Sequence, residues 1–493
     1  MNAYSSFSAR FALHAERPFL TMGDGQSYRY ADVERETAML ANHLLGLGLK
    51  KEDRVAAQVE KTPQALFLYL ACLRAGLCYL PLNPAYQRDE LAYFIADAEP
   101  ALIVCSTQQE SLFRSLGTAA HIRTLNEDAS GSLSEGYRSA PANFKDVAMA
   151  QDDLAVLIYT SGTTGRSKGA MVTHGNLVSN AEALTTQWRI SEDDVLVHAL
   201  PLFHIHGLFV AIHPLMRAGA RILFLPKFDS ARVLQAISRA TLLMGVPTFY
   251  TRLLQEPALN RDMLGAMRLF ISGSAPLLKD TFEQWRARTG HTILERYGMS
   301  EAGMITSNPY EGERRGGTVG IPLPQVAVRV IDEQGKLLIA HQPGAVQIKG
   351  PNVFKGYWRM PDKTQEAFTA DGWFKTGDMG QWDEAGYLSI VGRATDLIIS
   401  GGFNVYPKEI ELALDTLPGI VESAVIGLPH ADLGEAVTAV VVAKSDVQEA
   451  ALITQLKQRI ASYKVPKQIH FIDELPRNSM GKVQKNLLRR RFS

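Results

Sequence analysis

The sequence contains the stretch Thr160-Ser-Gly-Thr-Thr-Gly-Arg-Ser-Lys-Gly169, which follows the apolar run Leu154–Tyr159 and precedes a helical pattern that begins near His174. Glycines allow a backbone to curl so that successive N–H groups point at one anion. Hydroxyl side chains and a lysine add further donors and a positive charge. This order of strand, loop and helix therefore predicts a phosphate-binding loop in an α/β fold. Its predicted members are Thr160, Ser161, Gly162, Thr163, Thr164, Gly165 and Lys168.

The loop does not have the spacing of a Walker A motif. That motif needs a second glycine five residues after the first, followed by lysine and then by serine or threonine. Counted from Gly162, those positions hold Ser167, Lys168 and Gly169, so two requirements fail. A flexible surface loop is the alternative, but a lysine and an arginine placed just after an apolar strand favour phosphate binding.

Short apolar runs alternate with helical patterns on both sides of this loop. Examples of such runs are Cys78–Pro81, Ala101–Cys105 and Arg221–Leu225. Runs of this length between helical stretches predict buried parallel strands in a layered α/β domain. From about 318 to 393, strand-like segments separated by Gly, Pro and Asp turns predict a β-rich subdomain.

The last hundred or so residues have the pattern of a separate α+β domain. A helix is expected over 407–416, strands over 421–427 and 436–443, and a helix over 449–463, before a basic end that contains Arg489–Arg491. A segment of this size can form a small domain. We therefore predict an N-terminal domain over 1–394 and a C-terminal domain over 395–493, with the basic end exposed to solvent.

The amino-acid composition limits the classes of molecule that the protein is expected to bind. The chain has 493 residues, with 51 lysines and arginines against 51 aspartates and glutamates, so no net field favours nucleic acid or an anionic membrane. Cys72, Cys78 and Cys105 match no zinc or redox spacing. No apolar run is long enough to span a membrane, and the N-terminus lacks a secretory pattern. We expect a cytoplasmic protein with no nucleic-acid partner, no membrane span and no obligatory protein partner.

Four further segments have residue types suited to nucleotide and acyl chemistry. They are Tyr297-Gly-Met-Ser-Glu301, Gly372-Trp-Phe-Lys-Thr-Gly-Asp378, Ser400-Gly-Gly-Phe-Asn-Val-Tyr-Pro-Lys-Glu409 and Pro476-Arg-Asn-Ser-Met-Gly-Lys482. Together with the loop at 160–169, in this order, they resemble the motifs of the adenylate-forming superfamily. That superfamily comprises acyl-CoA synthetases, carrier-protein adenylation domains and luciferases. The resemblance covers nearly the whole chain.

The resemblance implies a set of nucleotide contacts. It places the ring of Tyr297 beside adenine, and it assigns Mg²⁺ to Glu301, a carboxylate of the kind that Mg²⁺ binds together with phosphate oxygens. Asp378 would accept the ribose hydroxyls, although an aspartate after glycine is more often a turn cap, and Arg393 would add a second contact. The full set for ATP and AMP is Thr160, Ser161, Gly162, Thr163, Thr164, Gly165, Lys168, Ser274, Ala275, Tyr297, Gly298, Ser300, Asp378 and Arg393.

The C-terminal motifs imply the remaining chemistry. By resemblance, Lys482 bridges the substrate carboxylate and the α-phosphate during adenylation, as charge develops at phosphorus. Ser400, Gly401 and Gly402 would let the arm of coenzyme A pass close to the backbone. The small domain is expected to be mobile and to rotate between the two half-reactions. Its hinge is expected at Thr395 or Asp396.

The acid is predicted from the residues around the acyl pocket. His204, His206 and Arg296 bring charge to a pocket that would be apolar in a fatty-acid enzyme, and a second substrate carboxylate would pair with Arg296. An ion pair with a neighbouring acid is the alternative for Arg296. We assign His204, with Lys482 and Glu301, to catalysis. The predicted acyl contacts are His206, Arg296, Ser272 and Met304.

Several stretches resemble malonyl-CoA and methylmalonyl-CoA synthetases more than other subgroups. They are Leu294–Met299, Thr306–Tyr310, Asn352–Met360, Gly401–Ile410 and Met480–Asn486. Ala302-Gly303, after Glu301, is instead typical of aromatic and fatty acid ligases. The chain is therefore predicted to be an AMP-forming acyl-CoA synthetase for a small dicarboxylate, with ATP, Mg²⁺ and coenzyme A.

Other functions stay open. The alternatives are a ligase for a medium-chain, fatty or aromatic monocarboxylate and a stand-alone adenylation enzyme that loads a carrier protein. A regulatory nucleotide-binding protein is disfavoured because Lys168, Glu301, Asp378 and Lys482 are all present. A luciferase-like oxidase is disfavoured by the charged pocket wall.

Overall fold

The computed structural model describes residues 2–160, 167–400, 403–430, 433–444, 447–478 and 481–493. Five predicted members of the phosphate-binding loop and two predicted coenzyme A contacts lie outside the described residues. They are Ser161, Gly162, Thr163, Thr164, Gly165, Gly401 and Gly402.

Two sheets built mainly from parallel strands form the layered α/β part of the chain. The six-stranded sheet has the spatial order His121–Thr124, Leu102–Cys105, Arg54–Gln58, Cys78–Pro81, Leu154–Thr160 and Lys168–Thr173. The nine-stranded sheet has the order Ile321–Pro322, Gly303–Ser307, Ile293–Met299, Leu269–Ser272, Leu242–Gly245, Val195–His198, Arg221–Phe224, Pro18–Met22 and Ser27–Arg29. Its six central strands, from Ile293–Met299 to Pro18–Met22, are parallel. The apolar runs predicted as strands are strands of these two sheets.

One strand was not expected. The phosphate-binding loop was predicted to lead straight into the helix near His174, but Lys168–Thr173 is a strand paired antiparallel with Leu154–Thr160. Thr160 lies opposite Lys168 in this register, so the two ends of the loop are held together by a β-ladder. The helix His174–Gln187 begins directly after this strand, and the Thr173 hydroxyl accepts the N–H of Asn176 at its first turn.

The segment predicted to be β-rich forms a four-stranded antiparallel sheet. Its strands are Ala327–Ile331, Gly344–Lys349, Phe374–Trp382 and Leu388–Arg393. Asp378 lies within the third strand rather than in a turn, and its register partner on the fourth strand is Arg393. Two residues separated by a turn in sequence are thus direct neighbours across a ladder.

The last part of the chain forms a five-stranded sheet with helices, as predicted. Its strands are Phe403–Val405, Ile398–Ser400, Gly434–Ala443, Ile420–His430 and Gln468–Phe471. The helix predicted over 449–463 is shorter and ends at Lys457. The basic end is not a free tail, because Arg489–Arg491 lie in the helix Lys485–Phe492 and Arg489 Nη2 is 2.7 Å from Asp396 Oδ1.

Helices cover the sheets. The α-helices of the described chain are Ala3–Phe7, Tyr30–Gly46, Pro63–Ala75, Arg88–Ala98, Glu110–Ser115, Ser132–Tyr137, His174–Gln187, His213–Ala218, Ser230–Ile237, Pro247–Gln255, Lys279–Thr289, Pro361–Ala367, Pro407–Asp415, Glu449–Lys457 and Lys485–Phe492. The segment His206–Val210 forms one turn of π-helix, and all five of its residues are buried. None of the helices described is both long enough and apolar enough to cross a bilayer. The predicted fold class is confirmed.

We propose a domain boundary at 394/395. The strand that ends at Arg393 belongs to the four-stranded sheet, whereas the strand that begins at Ile398 belongs to the five-stranded sheet. The short 3-10 turn Ala394–Asp396 connects them, and it contains both candidate hinge residues.

Candidate active site

Arg296 is buried at the end of the nine-stranded sheet, with only 3% of its surface exposed. Its guanidinium lies flat against the backbone of Gly273, on the turn that follows the neighbouring strand. A Cβ built on Gly273 would lie 2.4 Å from Arg296 Cζ and 2.6 Å from Nε. Heavy atoms cannot approach so closely, so the absence of a side chain at 273 is what makes room for the guanidinium. The sequence offered no signal for this role of Gly273.

The same region holds several buried polar atoms without hydrogen-bond partners in the described part of the chain. They are Arg296 Nε and Nη2, Ser272 Oγ and His206 Nε2. Arg296 also forms no ion pair among the described residues, so the alternative of a structural ion pair is not realised there. Buried donors are normally satisfied, and an unpaired buried cation is costly. A cluster of such donors is typical of a site for an anionic ligand.

The adjacent acid, Glu295, does not compensate Arg296. Successive residues of a strand point to opposite faces, and the Oε1 atom of Glu295 accepts the N–H of Leu277 at 3.0 Å. Burial raises the pKa of Glu295 to about 8, whereas the nearby Arg296 charge acts in the opposite direction. Among the described residues, Glu295 forms neither an ion pair nor a hydrogen bond with the guanidinium.

Both predicted pocket histidines lie beside Arg296 and are neutral. His204 Nδ1 accepts the N–H of His206 at 3.1 Å, and His206 Nδ1 lies 3.2 Å from Ser274 Oγ. Burial and the nearby Arg296 charge lower the pKa of His204 to about 4 and that of His206 well below its usual value. Ser274 adopts a left-handed φ of 71°, a conformation that non-glycine residues often adopt at functional sites. The pocket thus carries one uncompensated cation.

A half-buried lysine, Lys61, supports the turn that carries these histidines. Lys61 Nζ donates to His198 Nδ1 at 2.8 Å and to the carbonyls of His198 and Leu225 at 2.9 and 2.6 Å. With Nδ1 acting as acceptor, His198 Nε2 carries the proton and donates to the carbonyl of Gly207 at 2.8 Å. This network is not predictable from the sequence, because its members are far apart in the chain and match no motif.

Among the residues predicted to contact the nucleotide, Asp378 is the centre of a three-residue cluster. The Tyr297 hydroxyl donates to Asp378 Oδ2, and Arg393 Nε lies 2.7 Å from Asp378 Oδ1. Burial and the Asp378 charge raise the pKa of Tyr297 well above its usual value, so the phenol keeps its proton. Three residues predicted separately for ribose, adenine and phosphate contacts are thus brought together.

Glu301 is buried next to the ends of the phosphate-binding loop. Its Oε1 atom accepts hydrogen bonds from Thr160 Oγ1 and from the Tyr357 hydroxyl, both at 3.3 Å. The Lys168 ammonium lies 4.7 Å from the centre of the Tyr357 ring. Tyr357 is not among the predicted site residues, although it lies in the stretch Asn352–Met360, which resembles malonyl-CoA and methylmalonyl-CoA synthetases.

The carboxylate of Glu301 fits a metal ligand that acts with phosphate oxygens. Burial raises its pKa, and a nearby cation would offset that effect. Within the described residues, no group of three or more His, Cys, Asp or Glu side chains could bind a metal ion. A metal here would depend on ligands from the bound nucleotide, as Mg²⁺ commonly does.

Lys482 lies close enough to Asp378 and Arg393 to interact with both electrostatically. Its N–H donates to Asn478 Oδ1 at 2.9 Å. Burial and the Arg393 charge lower the pKa of Lys482, while the carboxylates of Asp378 and Asp396 act in the opposite direction. The fold therefore brings this lysine, about a hundred residues away in sequence, to the nucleotide cluster.

The other residues predicted to contact ATP, the acid or coenzyme A lie near the residues described above. Gly298 packs so closely on the next strand that a Cβ would lie 2.3 Å from Met304 Cε. Ser300 lines a small cavity together with Glu301, and Ala275 follows Ser274 on the turn beside Arg296. Ser400 is buried in the five-stranded sheet, where it pairs with Gly434.

Comparisons with known proteins agree with this geometry. A model of the AMP-binding enzyme family matches residues 7–358, and a model of the AMP-binding enzyme C-terminal domain matches residues 409–482. The chain belongs to the AMP-binding enzyme family. This confirms the superfamily predicted from the sequence motifs.

Individual relatives of this AMP-binding enzyme cover almost its whole length. ATP-bound MatB from Rhodopseudomonas palustris superposes with a TM-score of 0.96 at 52% identity, covering 100% of this chain and 99% of that chain. A malonate–CoA ligase from Arabidopsis thaliana is 33% identical over 519 residues, covering 95% of this chain and 85% of the relative. A feruloyl-CoA synthase from an Amycolatopsis species is 35% identical over 474 residues, covering 95% of this chain and 94% of the relative.

Proposed function

We propose that this chain is an AMP-forming acyl-CoA synthetase that activates malonate, with methylmalonate as the next candidate. The observation that carries the choice of acid is the buried guanidinium of Arg296, whose Nε and Nη2 atoms have no hydrogen-bond partner among the described residues. It lies beside neutral His204 and His206 and forms no ion pair with Glu295. A second substrate carboxylate would supply the missing negative charge and two hydrogen-bond acceptors. The malonate–CoA ligase among the relatives supports the same choice.

In the first half-reaction, an oxygen of the other carboxylate attacks the α-phosphorus of ATP. A new P–O bond forms, the bond to the β-phosphate oxygen breaks, and pyrophosphate leaves. No protein nucleophile is required, so the residues position groups and stabilise charge. Lys482, which interacts electrostatically with Asp378 and Arg393, would contact both the attacking carboxylate and the α-phosphate.

The nucleotide contacts divide between two clusters. Asp378 would accept the ribose hydroxyls, and Tyr297 would lie beside the adenine. Thr160 and Lys168, at the two ends of the loop, would hold phosphate oxygens. Glu301 would hold Mg²⁺, which neutralises phosphate charge when it is bound with ATP.

In the second half-reaction, the sulfur of coenzyme A attacks the acyl carbon, and the thiol proton is released to solvent. The carbon–oxygen bond to AMP breaks, and malonyl-CoA and AMP are released. Burial and the Arg296 charge lower the pKa of His204 to about 4, so His204 would stay uncharged beside the acyl group during this step. Ser400, with Gly401 and Gly402, would line the path of the coenzyme A arm.

The test is a CoA-dependent AMP-release assay with a panel of acids, with each acyl-CoA product identified by mass. The panel contains malonate, methylmalonate, succinate, acetate, butyrate and benzoate. We expect the highest kcat/KM for malonate or methylmalonate. Faster turnover of any monocarboxylate would contradict the proposed acid, and AMP release without a CoA thioester would contradict the proposed reaction.

A further inference from the structure

The carboxylate of Glu301 is held by two hydroxyl groups, and both contact the same oxygen. Thr160 Oγ1 and the Tyr357 hydroxyl each donate to Glu301 Oε1 at 3.3 Å. Within the described chain, Oε2 accepts no hydrogen bond from another side chain. Glu301 is only 7% exposed, so packing restricts the rotation of its side chain. A carboxylate held through one oxygen in this way keeps its other oxygen available for a cation.

The ring of Tyr357 makes a second contact, with the lysine at the end of the phosphate-binding loop. Lys168 Nζ lies 4.7 Å from the centre of this ring, within the distance at which an aromatic face attracts an ammonium group. Lys168 forms no ion pair with a carboxylate of the described residues. An ammonium has three N–H donors, so contact with the ring on one side leaves donors for a phosphate on the other. One side chain thus contacts the predicted metal ligand and a predicted phosphate ligand.

The segment that carries Tyr357 is fixed to the strand Lys168–Thr173. The N–H of Trp358 donates to the carbonyl of Gly169 at 2.7 Å, and the carbonyl of Gly356 accepts the N–H of Met171 at 2.9 Å. Tyr357 lies between these two hydrogen bonds. Its position relative to the end of the loop is therefore set by the backbone.

The same segment also holds the backbone of Glu301. The N–H of Phe354 donates to the carbonyl of Glu301 at 2.8 Å. The Phe354 ring packs edge-on against the Tyr357 ring, with centroids 4.9 Å apart and an angle of 70°, and the N–H of Tyr357 donates to Thr364 Oγ1 at 2.9 Å. Because its backbone, ring and hydroxyl are all engaged, Tyr357 has little freedom to move. A side chain so fixed can impose a position on the groups that it contacts.

We propose that Tyr357 is a positioning residue that links the metal ligand to the phosphate-binding loop. Its hydroxyl holds Glu301 Oε1 and leaves Oε2 for Mg²⁺, and its ring directs the Lys168 ammonium toward phosphate oxygens. Tyr357 itself touches neither the metal nor the nucleotide in this assignment. The assignment rests on the proposed function, because it takes ATP and Mg²⁺ as the ligands. Hydrogen-bond partners of metal-binding side chains commonly change metal affinity by about 10- to 100-fold.

The test measures nucleotide binding without turnover. The probe is the α,β-methylene analogue of ATP, whose methylene bridge prevents the release of pyrophosphate. Its Kd is measured by titration calorimetry in EDTA and in saturating Mg²⁺, and the ratio of the two Kd values is the metal enhancement. Tyr357→Phe removes the hydroxyl and keeps the ring, whereas Tyr357→Leu removes both.

Tyr137→Phe is the matched control. Tyr137 is also buried, and its hydroxyl donates to Glu36 Oε2 at 3.0 Å. It lies on the helix Ser132–Tyr137, which contains none of the predicted site residues. This variant therefore removes a tyrosine–carboxylate hydrogen bond without changing the candidate site, and its metal enhancement should equal that of the wild type.

The two Tyr357 variants should differ in a specific way. In Tyr357→Phe, the metal enhancement should fall roughly tenfold, while the Kd in EDTA stays at the wild-type value. In Tyr357→Leu, the Kd in EDTA should also rise, by about threefold, because Lys168 loses the ring that directs it. Glu301→Gln should lower the metal enhancement, and adding Tyr357→Phe to it should have no further effect, since the hydroxyl acts through that carboxylate.

Several results would overturn the assignment. An unchanged metal enhancement in Tyr357→Phe would exclude the role of the hydroxyl, and an unchanged Kd in EDTA for Tyr357→Leu would exclude that of the ring. An equal rise of both Kd values in Tyr357→Phe, or additive effects with Glu301→Gln, would indicate a structural tyrosine. These outcomes leave the proposed function intact, whereas a wild-type chain whose nucleotide binding does not respond to Mg²⁺ would overturn the proposed metal and the positioning role with it.

Discussion

Replacing Arg296 by methionine should separate activity from stability. Methionine keeps much of the aliphatic volume but removes a buried cation whose Nε and Nη2 have no partner in the described structure. Loss of a buried, hydrogen-bonded charge pair costs about 2–5 kcal/mol. At about 1.4 kcal/mol for each factor of ten, kcat/KM for malonate should fall by roughly 30-fold to several thousand-fold. Without ligand, however, the wild-type residue is an uncompensated buried charge, so the variant should be no less stable.

Acetoacetate is the matched probe, because it has the shape of malonate with a methyl group in place of one carboxylate oxygen. It therefore keeps the reacting carboxylate but has an uncharged ketone where malonate has its second carboxylate. Its kcat/KM should stay within a few-fold of the wild-type value in Arg296→Met. The assay is pyrophosphate exchange with each acid, together with thermal unfolding of the ligand-free protein. An equal loss for both acids would refute the role of Arg296 in recognising the second carboxylate. A large fall in Tm would refute the view that its charge is unsatisfied in the free enzyme.

Two further predictions follow from the same geometry. Gly273→Ala should displace the Arg296 guanidinium, because the new Cβ would lie 2.4 Å from Cζ. The free energy of unfolding should fall by about 1–3 kcal/mol, and kcat/KM should fall more for malonate than for acetoacetate. An unchanged ratio of the two kcat/KM values would exclude the contact. Lys482→Ala should slow pyrophosphate exchange by roughly a hundredfold or more while leaving thioester formation from synthetic malonyl-AMP near the wild-type rate; a similar loss in both halves would assign this lysine to another step.

Much of the fold could be predicted because it depends on local patterns. Apolar runs such as Cys78–Pro81 and Arg221–Phe224 form buried parallel strands. The nearly continuous apolar character of such strands can be recognised from the sequence alone. The strand Lys168–Thr173 was missed because its polar first residues look like a continuation of the glycine-rich loop. The ladder that makes it a strand depends on a partner that precedes the loop.

The candidate site was only partly predictable, because its residues are brought together by contacts between distant parts of the chain. Motifs identified Asp378 and Arg393 separately, but their pairing across two antiparallel strands comes from the register of the sheet. Arg296 was singled out by its charge, whereas the space for it depends on Gly273, about twenty residues earlier. Lys61 matches no motif, because its role comes from hydrogen bonds to His198 and Leu225 that only the three-dimensional structure defines.

The central claim is that this site recognises a second carboxylate. The most direct test is the ratio of kcat/KM for malonate to that for acetoacetate, measured on one preparation of the wild-type chain with ATP and coenzyme A. The buried guanidinium of Arg296 predicts a ratio of at least about 30 in favour of malonate, which corresponds to about 2 kcal/mol. A ratio near one, or a preference for acetoacetate, would contradict the claim.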